Sequence, residues 1–418
     1  MYYLLFTLYL AIGCFLITRM PFIKNAGLGS RLVLILFLLK IFAAILLGWM
    51  SQKFYPQGND YWGLNEAGWR EYQMLFSNPK KFFTEIFISP YQNGYQGFFN
   101  STGYWNDLKN TLIGKSLAFC NILSRGNYYI NSLFFNLVGF IGHVALYRVF
   151  ADIYHKQKWP VIIGCFLLPS TLYFSSGIHK DLIIFSMLGT YSYALYFSIK
   201  DKARLKYSAL LVLSFILLLL IRNFVAVAII PASIGFAISS KKKWNAWLTF
   251  ASVYSIAFVL LGIFQFIRPS FQPMKIIAQK QQDFLELPVA SSQIDKHVLE
   301  PNLQSFVQNA PQAIDHALLR PYIWETPTKF LVPLAIELLI YELLFIVMVI
   351  GYKKGEPVAP FLLFGFMISL SMLLFTGYIV PNIGSIVRYR SLYLPFLITP
   401  ILYNIWQSKF KPNKHINL

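Results

Sequence analysis

The acids, histidines and isolated cations of this chain fall in a few places. Asp60 sits in Gly58-Asn59-Asp60-Tyr61-Trp62, with Glu66 and Glu71 behind it. A carboxylate among aromatics suits a general base that takes the proton of an acceptor hydroxyl. The same oxygens suit a divalent cation. The plainer reading is the solvated start of a loop. Ser175-Ser176-Gly177-Ile178-His179-Lys180-Asp181 sets His, Lys and Asp side by side. His titrates near neutrality and Lys pairs with phosphate, so this turn suits proton transfer beside an anionic substrate. A helix cap accounts for Asp181, since an acid at an N-terminus also suits the dipole. His179 and Lys180 are left over.

The cations form a second set. Arg222 lies between Leu217–Ile221 and Phe224–Ile230. A charge there needs water, a carboxylate or a phosphate, or else it snorkels from a helix end. Arg320-Pro321-Tyr322-Ile323-Trp324-Glu325 and Asn382-Ile383-Gly384-Ser385-Ile386-Val387-Arg388-Tyr389-Arg390 come later. Their guanidinium groups suit bidentate phosphate contact. Gly384 would let backbone N–H groups approach an anion. The structural alternative is that one Arg pairs with Glu325. Lys40, Glu337 and Glu342 fall inside apolar stretches, where a Lys40–Glu337 or Lys40–Glu342 ion pair is expected. His143 reads as a core histidine with no role.

These residues must be positioned by membrane helices. Of the 418 residues, 56% are hydrophobic and only 13% charged, against about 25% charged in a soluble chain. Spans of about 20 apolar residues cross a bilayer, and their backbone must be helical. Such stretches run near 2–17, 32–50, 129–148, 159–175, 182–198, 207–221, 224–239, 246–266, 328–350, 359–379 and 391–407. The sixth and seventh are short and are equally one long helix broken at Arg222. The fold class is therefore an all-α polytopic membrane protein with about eleven transmembrane helices.

The net charge of +19 is spread by topology and does not indicate nucleic acid. Segments 18–31, 148–158, 200–206, 240–245, 351–358 and 408–418 hold 18 Lys and Arg against Asp152, Asp201 and Glu356. The short turns on the other side hold only Lys180, Arg222, Arg388 and Arg390. This positive-inside bias puts the N-terminus outside and the C-terminus inside. The first stretch has no basic start or small-residue cleavage site, so it reads as a span rather than a cleaved signal. Leu10–Cys14 lacks the basic start of a lipidation signal. Cys14, Cys120 and Cys165 show neither disulfide nor zinc spacing. No repeat of 20–50 residues is visible, which argues against an inverted-repeat carrier.

One transmembrane domain, 1–418, carries two large extracytoplasmic loops, 51–128 and 267–327. Loops of that length usually hold function. Asn78–Phe87 and Trp105–Leu123 read as short amphipathic helices of the interface, with an ordered turn region at Pro90–Gly103 between them. The second loop is Gln-rich and is expected to form short helices. Some of the chain's 39 Phe, 26 Tyr and 9 Trp would form interfacial belts.

Several of these stretches together resemble membrane proteins of bacterial surface-polysaccharide assembly. They are Leu168-Pro169-Ser170 through Lys180-Asp181, Ile221-Arg222-Asn223-Phe224, Arg320-Pro321 through Trp324-Glu325, and Asn382-Ile383-Gly384 through Arg390 with Pro395. The resemblance runs at pattern level over most of the chain and points to two groups. GT-C type glycosyltransferases use a polyprenyl-phosphate sugar donor. O-antigen polymerases and ligases act on polyprenyl-pyrophosphate glycans. Likeness to the first implies Asp60 as base or metal-site acid and the first-loop helices as acceptor platform. The chain departs from that pattern in two ways: its large loop follows the second span rather than the first, and it has no Asp-x-Asp. Likeness to the second implies Arg222, Arg388 and Arg390 as pyrophosphate clamps, with His179 or a carboxylate as base.

The reading leans to the first group, in a bacterial cytoplasmic membrane. Asp60, Glu66 and His179 are then catalytic candidates. Lys180, Arg222, Arg320, Arg388 and Arg390 are donor-binding candidates, supported by Asp181, Glu325 and Gly384. Partners would be a polyprenyl-linked sugar, a glycan acceptor and the bilayer. No dedicated metal ligands are assigned, although a divalent cation is compatible with the carboxylates. A lipid-linked glycan transporter is the non-enzymatic alternative.

Overall fold

The computed structural model describes residues 1–418 except 55–58, 93, 96, 100–102, 156, 202–203, 268–271, 326–327, 352–357 and 411–418. Gly58, part of the turn region at Pro90–Gly103 and much of the basic segments 351–358 and 408–418 therefore lie outside the described residues.

Among the described residues the chain is all-α, with one isolated bridge between Gln293 and Asn382. Among the described residues, eight helices are long and apolar enough to cross a membrane. They are Tyr2–Arg19, Ser30–Phe54, Tyr128–Ile153, Lys180–Lys200, Asn223–Lys242, Ala246–Ile263, Lys329–Ile350 and Pro360–Ile379. Lys158–Leu167 and Leu205–Ile221 are shorter apolar helical segments, and the helix Leu394–Phe410 overlaps the expected span 391–407. Tyr2–Arg19 has only 11% of its length buried, as has Ala246–Ile263. Apolar helices so little covered by protein need lipid around them. These are the helices of a multi-pass membrane protein.

Two compact units divide the chain. The first comprises Met1–Arg148 with Leu172–Val227. Its core gathers Leu64, Ile113, Leu117, Tyr128, Phe135, Ile178 and Leu182. Helices Tyr128–Ile153 and Lys180–Lys200 touch backbone to backbone at glycines. A Cβ on Gly142 would lie 2.4 Å from Ser186 Cα, and one on Gly189 would lie 2.3 Å from the Gly142 carbonyl oxygen.

The first long loop is more regular than expected. It begins with a helix, Asp60–Ser77, where the sequence suggested a loop start. Asn59 caps that helix by accepting from the Tyr61 and Trp62 N–H groups. Pro79–Thr84, the turn Glu85–Phe87 and Tyr104–Ser124 follow, close to the two helices anticipated. Gly68 lets Asp60–Ser77 lie directly on Leu117. The pair is locked by Lys115, whose ammonium lies 3.0 Å from Glu71 and 2.8 Å from Glu85. An amide network joins Asn131 to Asn65 and Asn121.

The second unit comprises Val149–Thr171 with Ala228–Leu418. Here the expected span 159–175 is corrected: it is not one helix. Lys158–Ile162 and the wide turn Ile163–Leu167 end at Leu168, which is extended, and Pro169–Phe174 starts afresh. Proline clashes with a helical residue before it and lacks an N–H, so Leu168 leaves the helical region. The Ser170 N–H and hydroxyl opened by the break donate to the Glu337 carboxylate at 3.0–3.1 Å. Tyr341 donates to the same carboxylate at 2.5 Å.

Glu337 is thus a cap for a broken helix rather than the partner of Lys40. The second long loop does form helices, Pro273–Leu285 and Leu303–Ile314. Buried Gln281 pins the first of these by donating to the Tyr378 and His297 carbonyls and accepting from the Leu299 N–H.

Candidate functional site

In the first unit, the start of the Asp60–Ser77 helix meets the turn that begins the Lys180–Lys200 helix. Gly177 makes the meeting close, because a Cβ there would fall 2.6 Å from Leu47 and 2.9 Å from the Tyr61 ring. Tyr61 in turn faces the His179 ring at 5.0 Å. Behind the turn, Lys40 fixes its backbone. The buried ammonium donates to the Ser175 carbonyl at 2.6 Å and lies 3.1–3.3 Å from His143 Nε2 and the Ser175 and Ser176 hydroxyls. His143, given no role by its sequence context, is therefore part of the brace. The Asn136 amide donates to the Ser176 carbonyl at 2.5 Å.

The turn carries a chain of charged groups. Asp60 Oδ2 lies 3.6 Å from His179 Nε2, and His179 Nδ1 lies 2.9 Å from Asp181 Oδ2. Asp181 Oδ1 accepts from Arg222 Nη1 at 3.3 Å. The Asp181 backbone N–H donates to His179 Nδ1 at 3.3 Å, so the imidazole caps the helix that it precedes. Its other nitrogen, Nε2, faces Asp60. Burial orders the three groups: the Asp60 side chain is 57% exposed, that of His179 2% and that of Asp181 0%. Asp60 alone of the three reaches solvent. Arg222 supplies the countercharge that a buried Asp181 requires.

Asp60 opens into a cavity of about 600 Å³ lined also by Glu66, Arg70, Asn110 and Lys180. Of the expected residues, the fold thus gathers Asp60, Glu66, His179, Lys180, Asp181 and Arg222 in one unit. Arg70 and Asn110 were missed. Once Asp60–Ser77 is seen as a helix, the steps 60, 63, 66–67 and 70 mark one face of it. Reading residue 60 as a loop start hid that face. Comparison with protein families, curated proteins and solved structures finds no match. Among the described residues, no group of three His, Cys, Asp or Glu side chains is placed to hold a metal ion.

The remaining candidates lie in the second unit. Arg320 forms the structural pairing: its Nε lies 2.9 Å from Asp315 and its Nη1 2.7 Å from Glu325. Arg390 is buried and donates to the Ala317 and Arg320 carbonyls at 3.1 and 2.8 Å. Its position braces the turn. Arg388 is half-buried, lying over the Tyr389 ring and donating to its hydroxyl at 3.3 Å. Gly384, expected to present its N–H to an anion, instead donates it to Ser292 Oγ at 3.3 Å. Asn382 caps the same short helix by accepting from the Ser385 N–H. The partners of Arg390 and Gly384 lie about 70 and 92 positions away in the second loop, which adjacent positions in sequence do not reveal.

Proposed function

We propose that the chain is a membrane glycosyltransferase of GT-C type. It moves a sugar from a polyprenyl-phosphate donor to a glycan acceptor on the extracytoplasmic face of a bacterial cytoplasmic membrane, in surface-polysaccharide synthesis. The observation that supports this reading is the Asp60–His179–Asp181–Arg222 chain, with His179 and Asp181 buried and Asp60 open to a polar cavity.

Asp60 takes the proton of the acceptor hydroxyl as that oxygen attacks the anomeric carbon. The bond from that carbon to the phosphate oxygen breaks, its electron pair leaves with the phosphate, and the new glycosidic bond forms. His179 holds the protonated Asp60 in place through Nε2, while the Asp181 backbone N–H, donating to Nδ1, orients the imidazole. Lys180, at the cavity wall, offsets charge that develops on the leaving phosphate. A positioned base of this kind contributes roughly 10²–10⁴-fold to a rate.

Mass spectrometry of lipid-linked glycans from a host carrying Asp60→Asn tests the reading. Glycans short by one sugar, with normal expression of the variant, are the expected result. Complete repeat units accumulating on the lipid would indicate a polymerase or ligase instead. An unchanged profile would sink glycosyl transfer and favour transport.

A further inference from the structure

We propose that Arg70 holds the phosphate of a polyprenyl phosphate in the Asp60 cavity, acting with Lys180. This inference rests on the glycosyl-transfer reading and names a donor subsite for it. Three helices contribute: Asp60–Ser77 gives Arg70, Lys180–Lys200 gives Lys180 at its first position, and Tyr104–Ser124 gives Asn110.

The wall that carries Arg70 is held firmly. Its neighbour Glu71 is tied to Lys115, and Gly68 lies against Leu117. Arg70 itself is exposed to the cavity, and no hydrogen bond or ion pair to another described residue occupies it. By contrast, Arg222 is engaged by Asp181, Arg320 by Asp315 and Glu325, and Arg390 by backbone carbonyls. Arg70 therefore keeps its planar fork for a ligand, and that fork matches two phosphate oxygens.

The cavity also pairs cations with carboxylates. Arg70 and Lys180 share it with Asp60 and Glu66. A simple anion would be repelled by the acids and a simple cation by the bases. A ligand that carries a phosphate at one point and hydroxyls at another satisfies both. A sugar esterified to a lipid phosphate, meeting an acceptor hydroxyl, is of that class. The chain's apolar helices provide the lipid setting that a polyprenyl tail needs.

The test uses the full chain in zwitterionic lipid nanodiscs with farnesyl phosphate as the probe, and farnesol and inorganic phosphate as comparisons. Wild type is expected to bind farnesyl phosphate more tightly than either. Arg70→Gln should weaken that binding about tenfold or more, as expected for loss of a charge-assisted hydrogen bond. Farnesol binding and the melting temperature should stay unchanged, and Arg70→Lys should recover part of the loss. A farnesyl phosphate Kd unchanged in Arg70→Gln overturns the proposal. So does inorganic phosphate that binds as tightly as the lipid phosphate, because the site would then serve a free anion. Arg70-dependent lipid-phosphate binding in a host whose glycans ignore Asp60→Asn would keep this subsite and reject only the transfer reaction.

Discussion

His179 draws its chemistry from its two neighbours in space, Asp181 on Nδ1 and Asp60 beyond Nε2. The run His179-Lys180-Asp181 advertised a reactive turn, but not which group would face solvent. Burial decided that. The same kind of decision marks Lys296 in the second unit. Its ammonium donates to the Gly377 and Val380 carbonyls, and burial pushes it down to about 7 from 10.5. The folded value lies below the unfolded one, so the unfolded chain binds more protons between these two pH values. Stability therefore rises as pH goes from about 7 toward 10.5, and is lost as pH falls back through that window. Thermal unfolding of the purified protein should show this rise, and Lys296→Met should flatten it. Parallel pH slopes for the two proteins would mean that Lys296 is solvated. Nearby His316 is pushed down to about 4, by burial first and by the Lys296 and Arg320 charges after it.

Among the helices, apolar stretches were easy to place and interruptions were not. Leu168-Pro169 signals a break, yet an apolar run masks it until Glu337 is seen to satisfy the Ser170 backbone. Asp60–Ser77 was invisible as a span because one face is polar. Its start is marked only by the Asn59 cap. Close helix contact is likewise written in glycines whose partners lie far along the chain. Gly142 and Gly189 place helices Tyr128–Ile153 and Lys180–Lys200 in backbone contact, and the second of these begins at His179–Asp181. Gly142→Ala puts a methyl group against the Ser186 backbone, where no side chain can rotate away. A loss of about 1–3 kcal/mol is expected from such overpacking. A fluorescence melt in detergent would check it, and an unchanged melting temperature would mean the helices do not approach so closely.

For the whole molecule, the proposal of an extracytoplasmic site depends on sidedness. The bias of Lys and Arg predicts it, and Asp60 and His179 would share the outer side. Alkaline phosphatase fused after Ala290 should be active, and a fluorescent protein fused after Leu418 should fluoresce. Activity with the two reporters exchanged would place the Asp60 cavity in the cytoplasm and reject a polyprenyl-phosphate donor delivered outside. Each unit meanwhile settles its own charges. Lys40 is held by Ser175, Ser176 and His143 in the first, and Glu337 by Ser170 and Tyr341 in the second.

The solvent this protein lives in and the helical state of its backbone were legible in its amino-acid order. Both follow from composition alone, since hydrocarbon leaves a buried peptide group no partner outside its own helix. That order also marked which polar residues were out of place. Which of them act together follows from the packing of distant helices. Asp60, Arg70, Asn110 and Lys180 come from three separate helices, and Arg390 is taken up by the Ala317 and Arg320 carbonyls, which no local spacing predicts. Charge partnership depends on distance and burial, and neither is a property of neighbouring positions in the chain.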